Sequence, residues 1–149
     1  MSDQLPSLPV TFRPTRTRAV LLTTGIAMFA VITAIAFMLE TLNAGERASF
    51  VLTGALLFAV LVLLSRPKVV ADETGVTVVN LTRRRRLAWA EILQVNLRAG
   101  DPWVFLNLSD GTSLPALGIQ PGIGKQQAIR DAGALRALAE AHGSGPASA

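Results

Sequence analysis

Hydrophobic and polar positions follow two different rules along this chain. In the first part they form long uninterrupted apolar runs; in the second they alternate. Residues 19–39 carry no charge, and as a helix rising about 1.5 Å per residue such a run covers a hydrocarbon layer about 30 Å thick. Residues 48–65 form a second uncharged run, after a short polar loop at 40–47 that contains Asn43 and Gly45. Loops of this length join antiparallel neighbours. The pattern predicts a transmembrane hairpin over 19–65, with spans at 19–39 and 48–65. A secretory leader would explain only the first run, but its apolar part would be shorter and would end in a small-residue cleavage site. Pro67 stops the second helix, because proline lacks an N–H and disfavours helix in the residue before it.

After Ser65-Arg66-Pro67-Lys68 the period changes to two, with almost no linker. Val69, Val70 and Ala71 lead to the turn Asp72-Glu73-Thr74-Gly75, and residues 76–81 are rich in β-branched side chains, as strands are. Residues 82–85 read as a turn, residues 86–89 as a third strand, and Ala90-Glu91 as a kink. Leu93, Val95 and Leu97 alternate with Gln94, Asn96 and Arg98; Val104, Leu106 and Leu108 alternate with Trp103, Phe105 and Asn107. Ser109-Asp110-Gly111 is a hairpin signal. Residues 112–119 make a further strand, which Pro115 assigns to a sheet edge.

Residues 125–141 switch to helical spacing. Ala128, Ala132, Leu135, Ala139 and His142 share one face, with Ile129 and Leu138 beside it. Gly133 lies inside this helix, where glycine costs about 1 kcal/mol relative to alanine, and a close approach to the sheet would explain it. The ends read as disordered: a cytoplasmic tail at 1–18 with Pro6, Pro9 and Pro14, and a Gly/Ser/Pro/Ala tail at 143–149. The organisation is then a tail at 1–18, the hairpin at 19–65, a cytoplasmic domain at 66–142 and a second tail at 143–149.

Charge sets the orientation. Arg13, Arg16 and Arg18 precede the first span and Arg66 and Lys68 come after the second, while the loop carries Glu40, Glu46 and Arg47. The positive-inside rule places both termini in the cytoplasm and makes the chain a multi-pass protein of the plasma membrane. Half of the residues are hydrophobic, more than a soluble domain of this size carries. There are no cysteines, which removes disulfides, iron–sulfur clusters and thiol catalysis. Neither span holds an ionisable residue, which argues against a proton path or a transporter site. Ala30 and Ala34 in one span, and Ala55 and Ala59 in the other, stand at the spacing that lets helices pack closely; alanine is also simply common in this chain.

Consecutive antiparallel strands closed by one C-terminal amphipathic helix is the order of a pleckstrin-homology-like (PH-like) barrel. The stretches Ala71-Asp72-Glu73-Thr74-Gly75-Val76-Thr77-Val78, Arg86-Leu87-Ala88-Trp89-Ala90-Glu91-Ile92 and Gly100-Asp101-Pro102-Trp103 resemble the bacterial PH-domain family of actinobacterial membrane proteins, of the low-molecular-weight protein antigen six type. The likeness covers roughly residues 66–141 and extends to the two spans. It implies an α+β PH-like domain after the hairpin: two nearly orthogonal antiparallel sheets, about six or seven strands in all, capped by one C-terminal helix. It implies no activity, and its motifs are a turn, a strand end and a hairpin corner. Ala88 and Ala90 flank Trp89 where the family pattern has a proline and a polar residue.

The run Arg83, Arg84, Arg85 and Arg86 is the strongest candidate for binding. Strand side chains alternate between faces, so four arginines cannot line one sheet surface, but at a hairpin tip they can splay toward one target. With the domain tethered close by, that target is anionic lipid headgroups, each Arg contributing about 1 kcal/mol near such a surface; the alternative is a solvated turn. Nucleic acid is disfavoured because no aromatic platform accompanies the run. Trp103 comes after a turn and is a candidate for the lipid interface or a partner contact, against corner packing for both Trp89 and Trp103. Residues 118–125 lie where a phosphate loop would lie, but the glycine spacing is wrong and Gln126 replaces the Mg²⁺-holding hydroxyl. His142 is the sole histidine and reads as a cap or an exposed residue. No carboxylate pair, metal cluster or nucleophile elbow is present. The reading is a non-enzymatic binding or scaffold module at the cytoplasmic face, without cofactor or metal, integral in the lipid, with a protein partner of unspecified identity. The alternative is a sensor of anionic lipid surface through the arginine run.

Overall fold

A computed structural model describes residues 5–144. Residues 1–4 and 145–149, which belong to the two expected tails, lie outside them. The described residues form two compact units: Arg16–Ser65, and a second assembled from the residues up to Thr15 together with those from Arg66 onward.

The first unit is a helical pair, α1 (Thr15–Met38) and α2 (Ala44–Leu64). Both helices are long and apolar enough to cross a membrane. Each begins about one turn before its apolar run, because helical hydrogen bonding starts in the polar flank, and each ends one residue short of it. Asn43 starts α2 with a capping box: the Glu46 N–H donates to Asn43 Oδ1 at 2.9 Å, and the Asn43 N–H donates to Glu46 Oε2 at 3.0 Å. Arg47 closes the other side of the turn. Its Nε donates to the Ala36 carbonyl at 2.8 Å and its Nη2 to Leu39 at 3.3 Å, satisfying carbonyls that the end of α1 leaves without a helical partner. The close-packing residues are glycines rather than the expected alanines. A Cβ on Gly25 would sit 2.7 Å from the Phe58 ring, and one on Gly54 would sit 3.1 Å from the Phe29 ring. Each helix therefore offers a notch to an aromatic ring of the other. Ala30, Ala34, Ala55 and Ala59 face outward. So do most large apolar side chains: Ile26, Phe37 and Leu52 are each more than 60% exposed.

The second unit holds two antiparallel sheets and a helix. Its strands are β1 (Val10–Phe12), β2 (Lys68–Ala71), β3 (Gly75–Val79), β4 (Arg84–Ala88), β5 (Ile92–Asn96), β6 (Val104–Leu108) and β7 (Ser113–Ala116). They are ordered β1-β2-β3-β4 in one sheet and β5-β6-β7 in the other. Helix α3 (Lys125–Ala139) comes next and runs into one π-helical turn, Glu140–Ser144. A 3₁₀ turn, Trp89–Glu91, makes the corner between the sheets at the expected kink. The core draws alternate residues from every layer: Phe12, Val69, Val76, Val78 and Leu87 from the first sheet, Ile92, Val95, Val104 and Leu106 from the second, and Ala128, Ala132, Leu135 and Leu138 from α3.

The expected disordered tail at 1–18 fails from Val10 onward. Phe12 pairs with Val69 and Val10 with Ala71, and Phe12 is 5% exposed in the core. The edge of β2 presents unpaired backbone N–H and C=O groups; this segment satisfies them and gains a buried aromatic ring. Gln127 on α3 secures the residues just after β1, donating to the Arg13 carbonyl at 2.6 Å and accepting from the Thr15 hydroxyl at 2.8 Å. The domain boundary at 66 is thus incomplete, and the helical hairpin is an insertion between two hydrogen-bonded strands.

Backbone proximity requires glycine at two positions beside the first sheet. A Cβ on Gly75 would lie 2.0 Å from the Leu87 carbonyl oxygen, and one on Gly118 would lie 2.5 Å from the Lys68 Cα. The Gly118 loop therefore serves packing against β2. Gly133 has no such reason: nothing lies within 4 Å of its added Cβ, so the expected close approach of helix to sheet is absent there.

Candidate functional site

The arginine run is pulled further into the sheet than its sequence signals. Leu87 must face the core, opposite Val76, and that register pairs Arg86 with Thr77, Arg85 with Val78 and Arg84 with Val79. Strand β4 therefore begins at Arg84, and the tight turn spans 80–83, closed by the Asn80 N–H donating to the Arg83 carbonyl at 2.8 Å. The expected hairpin tip carrying all four arginines is not formed; only Arg83 lies in the turn. Alternation sends Arg84 and Arg86 to one face and Arg85 to the other.

Arg86 is engaged internally. Its Nη1 and Nη2 donate to Asp72 Oδ2 and Oδ1 at 2.7 and 2.8 Å, forming a bidentate pair. It also donates to the hydroxyls of Thr77 at 3.1 Å and of Thr74. The Arg86 guanidinium, helped by the Thr74 N–H, holds the Asp72 carboxyl far below the usual carboxylate range, and Asp72 in turn raises Arg86. The pair fastens β4 to the β2–β3 turn. Beside it the buried Trp89 donates its indole N–H to the Asp72 carbonyl at 2.9 Å. His142 stacks on Trp89 with ring centroids 5.1 Å apart, its Nδ1 lying 3.0 Å from the Leu138 carbonyl. Trp89 is the corner residue it was expected to be, and His142 is neither a simple cap nor a free side chain.

Arg83, Arg84 and Arg85 nevertheless border one groove, at the edge where the two faces of β4 meet. They line this groove of about 520 Å³ with Val78, Asn80, Leu114 and Pro115. The Asn80 side chain stitches its floor, donating to the Pro115 carbonyl at 2.9 Å and accepting from the Leu117 N–H at 3.0 Å. In this way an amide acts as a one-residue strand on the exposed edge of β7. Arg85 approaches Asp110 only to 3.9 Å, with both side chains about half exposed, a pair that contributes little. Asp110 is lowered chiefly by hydrogen bonds from the Thr112 hydroxyl and N–H. A groove bordered by three arginines and by Val78, Leu114 and Pro115 suits a phosphate or another anion carried on an apolar body. Asn80, Leu114 and Pro115 were missed as site residues because they become neighbours only when β7 meets the β3–β4 turn.

Trp103 is not part of this groove. It precedes β6, is half-buried, and its indole N–H is enclosed with no hydrogen-bond partner among the described residues. It shares the outer face of the β5-β6-β7 sheet with Phe105 by alternation. Among the described residues no group of three His, Asp or Glu is placed to hold a metal ion.

A four-stranded and a three-stranded antiparallel sheet, closed by a C-terminal helix and with a basic groove at one end, define a PH-like binding domain. Residues 66–138 match the family described as Bacterial PH domain. Similar proteins of Mycobacterium bovis and of two strains of Mycobacterium tuberculosis are each 28% identical over 85 residues, covering 57% of this chain and 54% of theirs. All three are named only as uncharacterised proteins. The match thus spans about half the length of these relatives. No solved structure matches the chain. The strand β1 lies outside the matched segment.

Proposed function

We propose that this chain is a membrane-anchored, non-catalytic binding module. Its hairpin holds the PH domain at the cytoplasmic face of the plasma membrane, where the domain recruits or steadies other membrane-associated proteins. The observation carrying this reading is the insertion of an apolar hairpin between paired strands β1 and β2. Both ends of the hairpin are rooted in neighbouring strands, which supports a topology with the segments before and after it on one side of the bilayer. Arg13, Arg16, Arg18, Arg66 and Lys68 cluster at those ends, and the single loop cation, Arg47, is engaged with the end of α1. The bias favours the cytoplasm. PH domains generally bind lipids or proteins, and tethering raises the effective concentration of such sites without new contacts.

The chain has no cysteine, so single cysteines report topology directly. Thr41→Cys in the loop should react with an impermeant maleimide in intact cells. Ser7→Cys and Ser109→Cys should react only after lysis. Labelling of either of the latter two from outside would end the cytoplasmic reading.

A second reading is supported by the groove that Arg83, Arg84 and Arg85 border: the domain senses anionic lipid. It expects the Arg83→Ala/Arg84→Ala protein in nanodiscs to lose contact with phosphatidylserine headgroups, read by fluorescence transfer from Trp89 and Trp103 to a labelled lipid. Identical transfer in both proteins would remove it.

A further inference from the structure

Sheet edges expose backbone groups that pair with foreign strands unless something blunts them. Three of the four edges here are blunted in recognisable ways. Strand β1 is three residues long, with Pro9 and Pro14 on either side. Strand β4 carries Arg84, Arg85 and Arg86. Strand β7 contains Pro115 and is covered by the Asn80 amide. Strand β5, Ile92–Asn96, differs: it holds no Lys, Arg, Asp, Glu or Pro. Its register slips between Ile92 and Gln94, leaving Leu93 64% exposed.

A groove of about 340 Å³ runs along this edge, lined by Leu93 and Val95 on one side and by Arg136, Ala139, Glu140 and Gly143 on the other. A Cβ on Gly143 would lie 2.8 Å from the Trp89 carbonyl oxygen, so the end of α3 lies beside the start of β5 and Arg136 beside its far half. Arg136 donates from Nε and Nη2 to the Val95 carbonyl, at 3.2 and 2.9 Å. That contact reveals two things. The Val95 carbonyl faces the groove, and what covers it is a flexible side chain instead of a strand. A guanidinium carries five N–H donors in a fork that matches a carboxylate.

We infer that the β5 edge is a docking strip for an extended peptide segment bearing a carboxylate. The peptide pairs antiparallel or parallel with β5, sets an apolar side chain against Leu93 and Ala139, and places its Asp or Glu at the Arg136 end, away from Glu140. This mode takes affinity from main-chain bonds and specificity from alternate side chains. The inference rests on the reading of the domain as a binding module and names the place and the chemistry of its partner.

The test selects a random displayed peptide library on the full-length chain in phosphatidylcholine nanodiscs. Enriched sequences should alternate apolar residues and carry one Asp or Glu. Leu93→Lys, a change at an exposed position, should weaken them by about tenfold or more, because a charge on an edge blunts it, while leaving the melting temperature unchanged. Arg136→Gln should remove the preference for the acid over its amide. N-methylation of one alternate set of peptide amides should abolish binding, and of the other set should not. No enrichment, or binders indifferent to Leu93→Lys and to N-methylation, would overturn the docking strip. Binders lost instead in Arg83→Ala/Arg84→Ala would overturn it while leaving the binding-module reading intact, and that reading fails separately, on the cysteine topology.

Discussion

Removing the helical hairpin should leave a soluble domain, provided that β1 stays. Phe12 ends β1 opposite Val69, at the start of β2, so a Gly/Ser loop of about two to five residues suffices to replace residues 15–65. The magnitude comes from Phe12, which is 5% exposed and packs in the core. Its truncation to Ala costs about 3–5 kcal/mol. Deleting residues 1–14 loses that burial together with the pairing of β1 to β2 and the Gln127 bond to Arg13. Domains of this size are stable by about 5–15 kcal/mol, and each kcal/mol moves the melting temperature by about 4–8 °C. Phe12→Ala in the looped protein should therefore melt roughly 15 °C lower or more, and residues 66–144 alone should be at the threshold of folding. Buried Trp89 provides the fluorescence signal for thermal and urea melts without detergent. If residues 66–144 melt within a few degrees of the looped protein, β1 is an ornament on the sheet and the insertion argument is wrong.

Gly133→Ala should stabilise the domain by about 0.5–1 kcal/mol, since helix propensity improves and the new methyl meets nothing; a lower melting temperature would show that the face is occupied. Gly118→Ala should cost about 1–3 kcal/mol by overpacking against the Lys68 backbone, read in the same melts. Asn80→Ala should lose about 1–3 kcal/mol, because the Pro115 carbonyl and Leu117 N–H lose their partner. The Asp72 carboxyl is depressed in the fold, so its stabilisation is full above the ordinary carboxylate range near 4 and is lost as pH falls through the folded value. Acid titrations of wild type and Asp72→Asn should accordingly converge at low pH and separate above about pH 4; parallel curves would exclude Asp72 as the source.

The strand at 104–108 and the buried face of α3 were legible because their burial follows one-dimensional periods, two and 3.6, that a single segment displays. The apolar runs were legible for the same reason. At 92–96 the alternation that put Leu93 beside Val95 on the buried face fails, because the register slips between Ile92 and Gln94 and turns Leu93 outward. What escaped depends on pairs of segments. Val10, Thr11 and Phe12 are too few to show alternation, and prolines surround them; they are a strand only because β2 has an unfilled edge next to a core slot that fits a ring. The arginine run was displaced by two residues for a related reason. Its basic character suggested a tip, yet Leu87 had to reach the core, and that one requirement fixed the register of every arginine before it. The glycine notches at Gly25 and Gly54 were hidden because only the facing rings, Phe58 and Phe29, show which small residue is at the contact. Function is distributed in the same way. The arginine run is visible in the sequence, but the groove it borders and the β5 edge are not, because a second segment, β7 or α3, supplies the other wall of each.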